Sequence, residues 1–113
     1  MNDIWGYRPA ARYTAGTDLT GYQVDAIDGH VGKVDDATDD VGSAFIVVNC
    51  KPWLFGKHVM LPAGTVTLVD HSQETIRVAL TKDQIKNAPE YDRDAHRDDT
   101  GYRTTLGSYY GSR

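Results

Sequence analysis

The sequence YQVDAIDGHVGKV, residues 22–34, has the pattern of a β-hairpin. Apolar and polar side chains alternate over residues 22–26, as in a strand with one buried face. The dipeptide Asp28-Gly29 then favours a tight turn, because glycine adopts positive φ values at no steric cost. Residues 31–34 continue on the far side of that turn. We therefore predict two antiparallel strands joined at Asp28-Gly29.

Strand patterns continue as far as residue 80. Residues 45–50 are β-branched and aromatic, which makes them the strongest strand pattern in the chain. Residues 58–61 are predicted to pair back with them before Pro62, and residues 66–69 and 75–80 have the pattern of another hairpin. Short strands at this spacing, followed by one short helix, predict an all-β fold: a small antiparallel β-barrel or half-closed sheet.

One short helix is predicted directly after the last strand. Thr81 and Gln84 fit a capping box, in which each side chain accepts a hydrogen bond from the other residue's backbone N–H. Asp83 suits the positive end of the helix dipole, and Pro89 discourages continuation of the helix through Ala88. The helix should therefore begin after Thr81 and end before Pro89.

The composition is that of one small acidic domain. The chain has 113 residues, enough for one modest core. Twelve Lys and Arg residues against sixteen Asp and Glu residues give a net charge of −4, which argues against generic binding to nucleic acid. The longest apolar run, residues 44–48, is far too short for a transmembrane segment, and the first residues lack a secretory-signal pattern. The single cysteine, Cys50, allows no internal disulfide, so the expected location is cytoplasmic.

Three zones follow one another along the chain. We predict an N-terminal flank at residues 1–18, a β domain at residues 19–92 and a polar, tyrosine-containing tail at residues 93–113. The seven tyrosines lie at or outside the edges of the middle zone. Two interpretations are open: the flanks are disordered, or they fold back and use their aromatic rings to cover the β domain.

The order of these motifs resembles that of a PRC-barrel domain. Residues 19–24 resemble its opening strand, and residues 28–36 fit the pattern D-G-x-x-G-x-V-x-D. The segments at 45–48 and 53–62 are similar to the family's next strands and loop. The stretch from residue 78 to Tyr91 is similar to its closing strand, short helix and P-x-Y exit.

The resemblance implies a small β-barrel that acts as an interaction and assembly module without a catalytic site of its own. Relatives include the cytoplasmic domain of the photosynthetic reaction-centre H subunit and the C-terminal domain of a ribosomal small-subunit maturation factor. Either relative's role is therefore an alternative for this chain. Because folds host many functions, the family alone does not choose between them.

The residues indicate no metal, cofactor or catalytic site. Asp36, Thr38 and Asp40 have the spacing of the first calcium ligands in an EF-hand loop, but Val41 stands where the loop requires glycine. A solvated turn over residues 35–40 is the better interpretation. Cys50 is predicted to be a small core residue. The four histidines lack zinc-ligand spacing, no serine lies in a G-x-S-x-G elbow, and no glycine pattern forms a phosphate loop.

Five apolar residues are the predicted interaction site. If alternate residues of the strand at 45–50 point into the core, Phe45 and Val47 point outward and need cover, either from the chain itself or from a second copy. Trp53, Leu54 and Phe55 lie in a loop, where aromatic residues serve as interface anchors or plug one end of a barrel. We predict a non-enzymatic module that forms a homodimer or binds another protein through these five residues.

Two alternative partners follow from the resemblance. A ribosome- or RNA-linked role would use the arginines of the flanks: Arg8, Arg12, Arg93, Arg97 and Arg103. Acidic neighbours of the last group, such as Asp92 and Asp94, argue against RNA contacts. Peripheral association with a membrane photosynthetic or redox complex rests on analogy with the reaction-centre relative.

Overall fold

The computed structural model describes residues 4–7, 11–14, 16–38, 44–50, 58–88, 91 and 100–111. Six strands form one sheet in the order β4-β3-β2-β1-β6-β5. The strands are β1 (Gln23–Ala26), β2 (Gly29–Thr38), β3 (Phe45–Asn49), β4 (His58–Pro62), β5 (Val66–Asp70) and β6 (Thr75–Val78). A 3-10 turn at Ala63–Thr65 joins β4 to β5, and two helices follow: α1 (Lys82–Lys86) and α2 (Thr100–Gly111).

The sheet is mixed, which corrects the prediction of an antiparallel barrel. β1 pairs with β2 in an antiparallel ladder but with β6 in a parallel one, where Val24 lies opposite Ile76. The chain between β1 and β6 is long enough to return β6 in the same direction as β1, which a short hairpin connection cannot do. β4 and β5 are the two outer strands, and the described residues contain no pairing between them, so barrel closure is not shown.

Gly32 permits the close approach of β2 and β3. A Cβ atom at this position would lie 2.1 Å from the carbonyl oxygen of Asn49 and 3.1 Å from the Cα of Cys50. Both contacts are with backbone atoms, so no side-chain rotation could relieve them. The second glycine of the D-G-x-x-G pattern therefore has a packing role. β2 continues through Asp35 and Asp36, and a solvated turn at these two positions was a wrong prediction.

The predicted strands and capping box are present. Thr81 Oγ1 accepts from Gln84 N at 3.2 Å, and Gln84 Oε1 accepts from Thr81 N at 2.8 Å. Ile85 faces the core and is fully buried, and so is Cys50, as predicted. Every strand contributes buried residues to one hydrophobic core, which also includes Ala11 from the N-terminal flank.

Helix α2 is a second correction, because only one short helix was predicted. Its buried residues Tyr102, Leu106 and Tyr110 are four residues apart and therefore share one face of the helix. Gly101 and Gly107 are poor helix formers, so packing against the core must stabilise this helix.

Candidate interaction surface

Strand β3 is covered on both faces. Phe45 and Val47 are each 1% exposed, and Ile46 and Val48 are fully buried. The face formed by Phe45 and Val47, which was predicted to need cover, is therefore already buried within the chain. The sequence left two sources of cover open, the chain itself and a second copy. Among the described residues, the chain's own flanks contribute to this cover. Trp53, Leu54 and Phe55 lie outside the described residues, and their role stays a prediction.

The N-terminal flank forms one part of this cover. The carbonyl oxygen of Trp5 accepts from Ala44 N at 2.8 Å, immediately before β3. The carbonyl oxygen of Ile4 accepts from Gly64 N at 2.7 Å, immediately after β4. A Cβ atom on Gly64 would come within 2.8 Å of the Ile4 Cα, so the glycine allows this close approach. Residues 4–5 thus bind across one end of the β3–β4 pair.

Helix α2 forms the other part of the cover. The guanidinium carbon of Arg103 lies 5.5 Å from the centre of the Phe45 ring, a cation–π geometry. Gly107 packs against Trp5, whose Nε1 lies 3.3 Å from where a Cβ on Gly107 would stand. Tyr109 donates its hydroxyl proton to the Gln84 carbonyl oxygen at 2.6 Å. The helix therefore contacts the sheet, the N-terminal flank and α1.

The described tyrosines of the flanks pack against other parts of the chain instead of lying fully exposed on its surface. Tyr91 and Tyr102 are buried with their ring centres 6.0 Å apart. Tyr7 and Tyr13 are half-buried and stack with ring centres 4.0 Å apart and an interplanar angle of 17°. For the described parts of both flanks, the structure therefore supports the interpretation that the ends fold back.

The turn between β1 and β2 exposes an apolar side chain. Ile27 is 69% exposed and is the one large exposed hydrophobic residue among the described residues. No sequence pattern singled this residue out. The available signal was a β-branched apolar residue directly before Asp28-Gly29, where turns normally carry small or polar residues.

Polar contacts fix the backbone of this turn. Ile27 N donates to the Leu80 carbonyl oxygen at 2.8 Å, and Asp28 Oδ1 accepts from Lys82 N at 2.8 Å. The Asp28 carboxylate thus caps the first turn of α1 from a distant part of the chain. These two bonds tie the β1–β2 turn to the segment after β6 and to α1.

Three histidines have polar partners in the described part of the chain. His30 Nδ1 lies 3.0 Å from Asp25 Oδ1, and His58 Nε2 lies 3.4 Å from Asp35 Oδ2. His71 lies between the Tyr22 hydroxyl at 3.3 Å and the Arg12 carbonyl oxygen at 3.1 Å. No group of three or more potential metal ligands is present in these described segments.

Two carboxylates that lie in turns, those of Asp70 and Asp18, have pKa values lowered by the hydrogen bonds they accept. The backbone N–H of Gln73, followed by the Ser72 hydroxyl, lowers the pKa of Asp70 from its ordinary value of 3.8. The backbone N–H of Thr20 does the same for the pKa of Asp18. Both groups are turn-forming acceptors, so these shifts have a structural cause.

The comparisons with known proteins identify the fold. No family model matches the sequence, and no curated protein matches it either. Among solved structures, the chain is similar to that of a protein assigned as a 16S ribosomal RNA processing protein, RimM, from Pseudomonas aeruginosa. The sequences are 22% identical, the TM-score is 0.50, and the match covers 67% of this chain and 50% of the other.

This similarity shows a shared fold and supports the resemblance to PRC-barrel domains at that level. The chain spans about half the length of the RimM structure that it matches. Among the described residues, no helix has the length and apolar character needed to cross a membrane.

Proposed function

We propose that the chain is a non-enzymatic interaction module with a PRC-barrel-like fold and that it is an accessory factor of the small ribosomal subunit. The observation that carries this proposal is the fold similarity to a 16S ribosomal RNA processing protein over 67% of the chain. The motifs of residues 19–92 support it from the sequence, because the family they resemble includes a small-subunit maturation factor.

The distribution of charge favours a protein component of the subunit over its RNA. Of the five flank arginines that could contact phosphates, Arg12 and Arg103 are among the described residues. Arg12 is exposed, whereas Arg103 is half-buried with its guanidinium over Phe45. A net charge of −4 argues against the broad basic surface that extensive phosphate contacts require.

Co-sedimentation with purified small ribosomal subunits tests this function. We expect the chain to pellet with the subunits. Between about 50 and 200 mM salt, its affinity should fall by about fourfold or less, the change expected for roughly one phosphate contact. The proposal would be overturned if the chain pelleted with the subunits at neither salt concentration. A loss of about a thousandfold would instead indicate binding to RNA through many phosphates.

Self-association is a second candidate, favoured by the run of three large apolar residues at Trp53, Leu54 and Phe55. Because Phe45 and Val47 are buried, the outer face of β3 is not available for a dimer contact. The contact would then be formed by Trp53, Leu54 and Phe55 alone. Light scattering at increasing concentration tests it with wild type and Trp53→Asp. A concentration-dependent dimer that the substitution abolishes would support it, and a strict wild-type monomer would refute it.

A further inference from the structure

Two glycines in helical turns have the N-terminal segment as their neighbour. The three atoms nearest to a Cβ on Gly64 all belong to Ile4, at 2.7, 2.8 and 3.0 Å. Apart from the backbone of α2, both described atoms within 4 Å of a Cβ on Gly107 belong to the Trp5 indole. Neither glycine has a positive φ, and alanine is favoured over glycine in a helix. Their role is therefore to leave room for Ile4 and Trp5.

Backbone N–H groups complete the place where this segment lies. Gly64 N donates to the Ile4 carbonyl oxygen at 2.7 Å, and Ala44 N donates to the Trp5 carbonyl oxygen at 2.8 Å. Ala63 N donates to the Ala44 carbonyl oxygen at 3.0 Å, which holds the two donors side by side. Bonds from backbone donors to a segment's main chain, combined with space for particular side chains, are the general means by which proteins recognise peptides.

We call the site lined by Ala44, Gly64 and Gly107 the flank groove. Ala44 and Gly64 are buried, whereas the occupying residues Ile4 and Trp5 are only half-buried. A segment near a chain terminus with half-buried side chains opens at a lower free energy than the core does. The flank groove is therefore a formed site whose present occupant can exchange for another segment.

We propose that the flank groove is a peptide-binding site, and that residues 4–5 occupy it as a built-in competitor. Its partner is a segment of another protein in which an aliphatic residue is followed directly by tryptophan. The two carbonyl oxygens of that pair accept from Gly64 N and Ala44 N, and the indole packs against Gly107. Tryptophan is among the residues that contribute most to binding at interfaces. This site is independent of the proposed ribosomal role.

Titration of the full chain with two hexapeptides of identical composition, followed by nuclear magnetic resonance, tests this site. The probe is SGIWGS, and the control is SGWIGS, in which the two apolar residues are exchanged. In wild type, residues 4–5 compete at an effective concentration of about 1 mM or more. Trp5→Ala removes the indole of this competitor. We therefore expect the Ala44 and Gly64 amide resonances of this variant to reach half-saturation with SGIWGS at about one-tenth of the wild-type concentration or less.

Two further changes in the Trp5→Ala background separate the groove from other surfaces. Gly64→Ala should raise the SGIWGS concentration at half-saturation by at least about tenfold, because the new Cβ lies where the main chain of the peptide passes. Thr105→Ala, an exposed change in α2, should leave it unchanged. Equal responses to the two peptides, or equal effects of these two changes, would overturn the proposal. If Trp5→Ala does not fold, Trp5→Leu replaces it throughout.

Light scattering of wild type and Gly64→Ala distinguishes a second copy as the occupant. We expect the two proteins to have the same mass over a hundredfold range of concentration. A wild-type dimer that Gly64→Ala abolishes would show that the N-terminal segment of a second copy fills the flank groove. That result would overturn the proposal that another protein is the partner, and so would the absence of SGIWGS binding to the Trp5→Ala variant.

Discussion

Replacement of Leu106 by alanine tests whether α2 is part of the folded unit. The Leu106 side chain is fully buried in the middle of the apolar face of α2. Removal of a buried leucine side chain costs about 2–5 kcal/mol, because transfer energy is lost and a cavity remains. If α2 can leave the sheet before the rest unfolds, the cost cannot exceed the free energy of its docking. We therefore expect a loss of about 2 kcal/mol, at the lower end of the range.

Thr105→Ala is the matched control for this substitution. Thr105 is the preceding residue and is exposed, so its replacement leaves the core unchanged. Alanine is the better helix former, and the control should therefore be within about 0.5 kcal/mol of wild type or slightly more stable. A tail that does not pack would instead give the same small effect for both substitutions.

Urea unfolding followed by tryptophan fluorescence and circular dichroism measures the difference. Trp5 contacts Gly107, so in a Trp53→Phe background its emission reports whether α2 is in place, while circular dichroism reports the secondary structure of the whole chain. Coincident transitions would show that α2 unfolds together with the sheet. A free energy of unfolding for Leu106→Ala within about 0.5 kcal/mol of the wild-type value would show that α2 is not packed in the folded unit.

Three further substitutions test individual contacts. Gly32→Ala should lower the free energy of unfolding by about 3 kcal/mol or more, because the new Cβ would lie against the Asn49 carbonyl; a normal urea midpoint would contradict the 2.1 Å approach. Tyr109→Phe removes the 2.6 Å bond to Gln84 and should cost about 0.5–1.5 kcal/mol in the same assay, with unchanged stability as the contrary result. Asp70→Ala should lower the thermal midpoint near neutral pH. Because the pKa of Asp70 is lowered in the folded chain, its contribution is present above pH 3.8 and is lost as the pH falls below that value. Melting curves of wild type and Asp70→Ala should therefore converge in acid, and a constant difference would be inconsistent with this.

Local patterns in the sequence were sufficient for the hairpin and for helix α1. The turn at Asp28-Gly29 and the capping box of Thr81 and Gln84 depend on residues within a few positions of each other. The parallel pairing of β1 with β6 joins segments that lie about fifty residues apart, and alternation alone does not select a strand's partner. The parallel direction of the β1–β6 pair therefore could not be predicted from the alternation of apolar and polar residues.

Helix α2 was missed because its residues have weak helix preferences. Gly101 and Gly107 are unfavourable, and the first and last turns lack acidic and basic residues, respectively. The remaining signal was the spacing of Tyr102, Leu106 and Tyr110, which places three apolar side chains on one face.

The two apolar faces of β3 were visible in the sequence, but the identity of their cover was not. Four consecutive apolar residues require burial on both sides, whichever molecule provides it. Residues 4–5 and α2 contribute to this cover at Ala44 and Phe45. They also contact each other through Trp5 and Gly107. Ile27 was overlooked for the opposite reason, because one apolar residue in a turn makes no periodic pattern.

Amide hydrogen exchange at several protein concentrations tests whether the flanks of the same molecule cover β3. We expect slow exchange for the amides of β3 and for residues 104–110 of α2, with rates that do not change over a hundredfold dilution. Fast exchange in α2 would show that this helix does not cover the sheet, and protection of β3 that disappears on dilution would show that a second copy provides the cover. Either result would contradict cover by the same molecule.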